Sequence, residues 1–182
     1  SFVDSTPLRV CKNQRIHIHK VFKGIAQRGK CSMGWFFGFK LHLICNEKGE
    51  LLNFMITPGD IDDRKPLEYK AFIDFIYGKL FGDKGYIGKN LFQRLFVDGI
   101  QLITKLKSNM KGALMSVSDR LLLRKRAIIE TVNDELKNIA QVEHSRHRCF
   151  DNFIVNLLGA IAAYCLFPKK PCINVQRTID TQ

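Results

Sequence analysis

Three carboxylates in the sequence stand where a reactive site could form. Asp4 follows a short apolar run, Asp83 ends the apolar run 79–83, and Glu130 lies in a segment with helical periodicity. Hard divalent cations such as Mg²⁺ prefer oxygen ligands of this kind. Carboxylates gathered without a cation would repel one another and raise a pKa, so their clustering would itself indicate bound metal. Two such ions can activate a nucleophile and stabilise the leaving oxygen of a phosphodiester.

Residues 121–140 are predicted to form one long amphipathic helix that carries Glu130. Four polar residues, Arg126, Glu130, Asn133 and Lys137, fall on one face at about 100° per residue. A solvated charged face is the ordinary explanation for such a stripe, and the alternative is a face turned toward the other two carboxylates. The opposite face is apolar, with Leu121, Leu122, Ile128, Ile129, Val132, Leu136, Ile139 and Ala140.

The order of the predicted elements indicates an α/β fold with a mixed sheet flanked by helices. In such a sheet, strand ends bring acids that are distant in sequence to one edge, and the long helix can lay Glu130 across them. The predicted elements are a strand ending at Asp4 and closed by a turn at Pro7, a hairpin of half-buried strands over 35–45 and 50–57, a helix over 66–77, a strand over 79–83, a helix over 89–97, a strand over 99–104, the helix over 121–140 and a buried helix over 151–167.

Composition indicates a single globular domain, assigned to residues 1–168, with a polar tail over 169–182. The net charge of +12 and the pI near 9.6 predict a polyanionic partner, and nucleic acid is the commonest. Residues 9–34 contribute seven Lys and Arg side chains and are predicted as a loop over phosphates, with disorder as the alternative.

A membrane partner is the competing explanation of the positive charge, and the sequence disfavours it. No basic amphipathic anchor stands out, and the apolar segment 151–167 is shorter than a comfortable membrane span. Six cysteines are scattered without a Cys-x-x-Cys pair, and no secretory signal opens the chain. This pattern is typical of reduced thiols in a cytosolic protein.

Six pieces of the chain form an ordered series: residues 3–8 (VDSTPL), 38–43 (GFKLHL), 57–64 (TPGDIDDR), 82–86 (GDKGY), 126–137 with Arg126, Glu130 and Lys137, and 146–148 (RHR) with Asn152 and Phe153. In this order they resemble the DDE-type transposases of bacterial insertion sequences. The separations of 79 residues from Asp4 to Asp83 and 47 residues from Asp83 to Glu130 also fit that family. The start without methionine, inside an apolar run, leads us to expect an N-terminally truncated chain.

The resemblance implies a ribonuclease H-like fold and a metal-dependent activity on DNA. Asp4, Asp83 and Glu130 would be the catalytic residues and would ligate two Mg²⁺ or Mn²⁺ ions. Water would attack the phosphodiester at the end of the insertion sequence, and the freed 3′-hydroxyl would attack target DNA. The side chains expected to bind DNA are Arg126, Lys137, Lys84, Arg146 and Arg148.

The resemblance also implies the setting in which the chain works. Its partners would be double-stranded DNA, both transposon ends and target, and at least a second copy of the chain on that DNA. It would act in the bacterial cytoplasm at the nucleoid. Two alternatives stay open from the residues: a ribonuclease H-like nuclease that joins nothing, and an inactive relic that only binds DNA.

Overall fold

One mixed β-sheet runs through the centre of the molecule. The computed structural model describes residues 1–105, 115–143 and 147–174. Within those ranges six strands share the sheet, in the order β2-β3-β1-β5-β6, with β4 also paired to β3. The strands are β1 (Phe2–Cys11), β2 (Gln27–Cys31), β3 (Gly34–Cys45), β4 (Leu51–Pro58), β5 (Gly78–Gly82) and β6 (Ile100–Thr104).

The long strand β3 organises the antiparallel half of the sheet. It pairs with β1 from Phe2↔Cys45 to Cys11↔Phe37. Strands β2 and β4 lie end to end along its other edge, with β2 against its first residues and β4 against its last. The other half is parallel, because β5 pairs with β1 and with β6 in the same direction. The sheet is therefore mixed, as the sequence predicts.

Helices cover both faces of the sheet and create two separate cores. The five α-helices are α1 (Lys70–Ile73), α2 (Lys89–Val97), α3 (Val117–Arg124), α4 (Ala127–Asn138) and α5 (Phe150–Cys165). One core packs α4 and α5 against side chains such as Phe2 and Leu8 of β1. The other packs α1 and α2 against the opposite face, which Val3 of β1 joins. The predicted α/β class is confirmed, and the arrangement is compatible with a ribonuclease H-like fold.

The prediction that the first strand ends at Asp4 and turns at Pro7 is wrong. β1 continues to Cys11, and Asp4 lies inside it. Proline is tolerated because β1 meets β5 through the single pair Phe2↔Phe81, so the rest of β1 has a neighbouring strand on one side only. The longer strand places Asp4 on a buried face of the sheet instead of at a loop.

The prediction of one helix over 121–140 is also wrong, because the chain breaks between α3 and α4. At the break, the N–H groups of Ile128 and Ile129 donate to carbonyls three residues back, those of Lys125 and Arg126. The two helices pack on different strands, α3 against β5 and β6 and α4 against β1. A straight helix could not follow both strands. Separately, Ile139, which was expected on the apolar face of the helix, is exposed.

Three smaller predictions also need correction. The helix expected over 66–77 is a short 3-10 helix, Lys65–Glu68, followed by the four residues of α1. β3 is buried on both faces, not on one, because helices cover both sides of the sheet. The segment 9–34, predicted as a loop, contains the end of β1, the 3-10 helix Asn13–Ile18 and β2.

Other predicted elements are confirmed. The hairpin, the strand before Asp83, the helix over 89–97 and the strand after it occur as β3 and β4, β5, α2 and β6. The apolar segment 151–167 does form a helix, α5, but the prediction that this helix is buried is wrong: only one face packs on the core, and Val155 and Leu158 on the other face are exposed. No helix in the described ranges combines the length and the apolar character needed to cross a membrane. All six cysteines are free thiols.

Candidate active site

The guanidinium of Arg126 lies among the three predicted carboxylates. One of its terminal nitrogens is 2.8 Å from Oε1 of Glu130 and 3.9 Å from Oδ1 of Asp83. The other is 3.9 Å from Oδ2 of Asp4. The Arg126 side chain is 16% exposed, so the contact is partly shielded from water. Residues separated by more than 120 positions in the sequence therefore meet at a single cation.

The parallel pairing of β1 with β5 brings the two aspartates together. Phe2 and Phe81 are register partners. Asp4 and Asp83 each follow their partner by two residues, so the two-residue period of strands puts them side by side on one face. Asp83 is the first residue after β5 and begins the 3-10 helix Lys84–Tyr86. The edge thus carries one aspartate inside a strand and one at a strand end.

Glu130 reaches this edge because α4 lies along β1. It stands in the first turn of α4, and the break before that helix turns Arg126 toward the same point. Ile129, Val132 and Leu136 of α4 are buried in the core beneath. The polar stripe predicted as a face of the helix is therefore directed at β1 and the aspartates, and its solvated alternative fails for Asn133, which is buried.

Burial perturbs Asp4 more than the other two carboxylates. The pKa of Asp4 is raised to about 6, chiefly by desolvation, with smaller contributions from the negative charges of Glu130 and Asp83. Arg126 and the backbone N–H of Ser5 oppose this rise. An ionised Asp4 is consequently short of positive charge, since one guanidinium faces three carboxylates.

Asn133 and Lys137 continue the polar stripe along β1. Nδ2 of Asn133 lies 3.3 Å from Oδ2 of Asp4 and donates to it. Lys137 does not reach the carboxylates; its Nζ donates to the Pro7 carbonyl at 2.8 Å and pairs with Glu143 at 3.3 Å. Asn133 therefore fixes the orientation of Asp4, whereas Lys137 anchors α4 farther along the strand.

A second polar layer lies beneath the carboxylates, and the sequence had left its members without a role. Ser5 donates to Asp63 at 2.8 Å, and Lys40 pairs with the same carboxylate at 3.0 Å. The buried Tyr86 has a pKa well above its usual range because of desolvation and the charges of Asp4 and Asp63. These contacts hold the loop after β4 against β1.

Asp62, the neighbour of Asp63, has a different task. Its Oδ1 accepts from the backbone N–H and from Nε of Arg64, and its Oδ2 accepts from the guanidinium at 2.7 Å. Arg64 thereby lowers the pKa of Asp62 to about 2. Asp62 thus shapes the turn before the 3-10 helix and does not join the carboxylate cluster.

The remaining predicted DNA-binding residues surround the site less closely. Lys84 is exposed and immediately follows Asp83. Arg148 is exposed two residues before α5, and Arg146 lies outside the described residues. Leu123, on α3, is buried in the core.

The donor set suits Mg²⁺ or Mn²⁺, since all three groups offer carboxylate oxygens to a cation. The high pKa of Asp4 agrees with a site that lacks positive charge. Within the described ranges, no three Asp, Glu, His or Cys side chains already converge on a common metal position. Arg126 lies between the carboxylates instead, so holding a metal requires them to reorient around it.

Comparison with protein families gives one match along most of the chain. The model described as "Transposase DDE domain" matches residues 1–150, which include all three carboxylates and both residues that contact Asp4 from α4. Comparisons with curated proteins and with solved structures find no match. The match covers far more than half of the 182 residues. The chain therefore belongs to the transposase DDE domain family.

Proposed function

We propose that the chain cleaves phosphodiester bonds at the ends of an insertion sequence and transfers the freed 3′-hydroxyl into target DNA. The observation that carries this proposal is the meeting of Asp4, Asp83 and Glu130 at Arg126. Family membership supports DNA as the substrate. The net charge of +12 supports binding of its phosphates.

The three carboxylates would hold two Mg²⁺ or Mn²⁺ ions. Such ions activate the attacking hydroxyl or water and neutralise charge on the leaving oxygen. Asn133 keeps one Asp4 oxygen directed toward the site. Arg126 limits the repulsion among the carboxylates in the free protein, and its guanidinium can turn to a DNA phosphate once other cations balance them.

The exposed cations beside the carboxylates would orient the DNA. Lys84 follows Asp83 directly, and it would contact the strand being cut. Arg148, with Arg146, would bind phosphates farther along the duplex. By resemblance to the family, two or more copies would assemble on the paired DNA ends at the bacterial nucleoid.

The products formed from a donor plasmid that carries the insertion sequence test this proposal. With Mg²⁺ we expect free 3′-ends and joined target strands, and neither with EDTA. Asp83→Asn should abolish both products while DNA binding persists, because it removes an oxygen ligand without adding bulk. Asp98→Asn, an exposed aspartate after α2, is the matched control and should retain activity.

Two outcomes would replace the proposal with its alternatives. Nicked DNA without joined strands would make the chain a nuclease. Salt-sensitive DNA binding with no cleavage in Mg²⁺ or Mn²⁺, unchanged by Asp83→Asn, would make it an inactive DNA-binding relic.

A further inference from the structure

A cleft lies beyond the far end of the polar stripe, away from the carboxylates. It has a volume of about 500 Å³ and opens between the end of β1, the 3-10 helix Asn13–Ile18 and the start of β3. Its polar lining consists of Arg9, Lys12, Asn13, Gln14 and Glu143, and its aromatic lining of Trp35 and Phe36. The proposed chemistry of cleavage uses none of these side chains.

Trp35 stands at the rim of this cleft with an accessible ring. It is 58% exposed, although the next residue, Phe36, is buried beneath it. The Nζ of Lys30, its register partner on β2, lies 5.9 Å from the ring centroid. Asn13 donates to the Trp35 carbonyl at 2.8 Å and fixes the backbone there. A large aromatic ring held on a strand but left open to solvent is suited to stacking with a flat ligand.

The cleft also carries an excess of positive charge. From Ser5 to Asn46 the sequence contains eight Lys and Arg residues and no Asp or Glu. The carboxylate of Glu143 is already engaged, because it accepts from the Arg9 N–H at 2.9 Å and pairs with Lys137. Neither Arg9 nor Lys12 forms an ion pair with a carboxylate of the described residues. Cations without carboxylate partners beside an open aromatic ring attract phosphate and base together.

Strand β1 runs from the carboxylates toward the cleft, and contacts of Lys137 tie its middle to the cleft. Lys137 joins Glu143 at the cleft to Pro7 in the middle of β1. Asp4 and Arg9 are five residues apart on β1, about 17 Å at the rise of a strand. A stacked strand advances about 3.4 Å per nucleotide, so about five nucleotides would span that distance.

We propose that this cleft binds unpaired nucleotides of DNA, with one base stacked on Trp35 and the flanking phosphates held by Arg9, Lys12 and Lys30. An unpaired base exposes its ring faces, whereas bases inside a duplex are already stacked on their neighbours. The identity of this strand, as the one leaving the carboxylates, rests on the proposed function. The stacking itself requires no metal.

Trp35 provides its own assay, because it is the one tryptophan of the chain. In EDTA, a single-stranded oligonucleotide, or a duplex with a five-nucleotide overhang, should quench its fluorescence to saturation. A blunt duplex of equal length should quench it much less. With a labelled overhang duplex, Trp35→Ala should weaken affinity about 5- to 100-fold, and Trp35→Phe should restore most of it.

Phe92→Ala is the matched control, since Phe92 is an exposed aromatic residue on α2 that stacks with Phe96. It should leave affinity unchanged, and circular dichroism verifies that each variant is folded. Equal quenching by blunt and single-stranded DNA, or a folded Trp35→Ala protein with unchanged overhang affinity, would overturn the proposal. A wild-type protein that shows the quenching but cleaves nothing in Mg²⁺ would overturn the proposed function and leave the cleft intact.

Discussion

At the scale of single residues, the site depends on the balance between one guanidinium and three carboxylates. Asp4 is the most buried of the three, with a side chain 21% exposed against 53% for Asp83 and 58% for Glu130. Desolvation consequently acts most strongly on Asp4, whose pKa rises to about 6. A cation is required to keep Asp4 ionised without loss of stability at neutral pH.

The first prediction concerns the pH dependence of stability without metal. Because the folded pKa of Asp4 lies above its unfolded value, the folded protein binds the proton more tightly, and its stability falls as pH rises from about 4 to about 6. The loss is about 3 kcal/mol at most for a shift of about two units. Asp4→Asn should therefore be more stable than wild type by about 1–3 kcal/mol at pH 7.5, and should gain little at pH 4.

Urea unfolding in EDTA at both pH values measures this difference. Asp98→Asn, which changes an exposed carboxylate, should follow wild type at both. If Asp4→Asn showed the same stability difference at pH 4 and pH 7.5, the assigned burial cost of the ionised carboxylate would be refuted.

The second prediction concerns Arg126. In low salt without divalent ions, Arg126→Gln should lose about 1–3 kcal/mol of stability, because the three carboxylates then lack their partner. Arg126→Lys keeps the charge and should lose less. Millimolar Mg²⁺ should raise the melting temperature of Arg126→Gln more than that of wild type. Scanning calorimetry measures these melting temperatures. If Mg²⁺ raised the melting temperature equally in both proteins, the three carboxylates would not share the Arg126 guanidinium as their partner.

At the scale of secondary-structure elements, the break before α4 determines the site. Periodicity correctly predicted that Ile128, Ile129 and Leu136 face the core, because a 3.6-residue repeat reports burial directly. It could not predict the break, which follows from α3 and α4 packing on different strands. Sequence patterns are equally unable to predict the length of β1. The strand continues past Pro7 because one of its sides has no neighbouring strand there, and the sequence does not show which side that is.

The third prediction tests where α4 ends, since α4 stops at Asn138 and Ile139 follows it. Ile129 and Ile139 share the apolar face of the predicted helix, yet Ile129 is fully buried and Ile139 is 62% exposed. Ile129→Ala should cost about 2–5 kcal/mol in free energy of unfolding. Ile139→Ala should change it by less than about 0.5 kcal/mol. Equal losses in chemical denaturation would indicate that α4 continues past Asn138 and buries both isoleucines.

At the scale of the whole molecule, the positive charge is concentrated in one stretch of the chain, whereas the clustered carboxylates come from several. The segment from Ser5 to Asn46 is basic and free of acids, whereas the carboxylate cluster gathers residues from β1, β5 and α4. The sequence alone indicated the α/β class, the three acids and the positive charge. It could not indicate that Asp63, Lys40 and Ser5 form a layer under the site, because their contacts arise from strand register.

The fourth prediction concerns the salt dependence of DNA binding. The logarithm of the affinity should fall linearly with the logarithm of salt concentration, by about 0.9 per phosphate neutralised. Arg28→Gln with Lys30→Gln on β2 should reduce that slope by about 2. The charge-matched control is Lys70→Gln with Lys89→Gln. These lysines begin α1 and α2, which cover the face of the sheet opposite α4 and α5, and their substitution should reduce the slope little. Fluorescence anisotropy titrations measure these slopes. If both double substitutions reduced the slope equally, binding of DNA through the acid-free segment from Ser5 to Asn46 would be contradicted.

The most direct test of the carboxylate cluster is its affinity for Mn²⁺, read by electron paramagnetic resonance of the free ion. Wild type should bind Mn²⁺, and Asp4→Asn, Asp83→Asn and Glu130→Gln should each weaken binding about tenfold or more, with Asp98→Asn unchanged. The three carboxylates would then act as one metal site around Arg126. Mn²⁺ binding that all three substitutions leave intact would contradict a metal-dependent reaction at these residues.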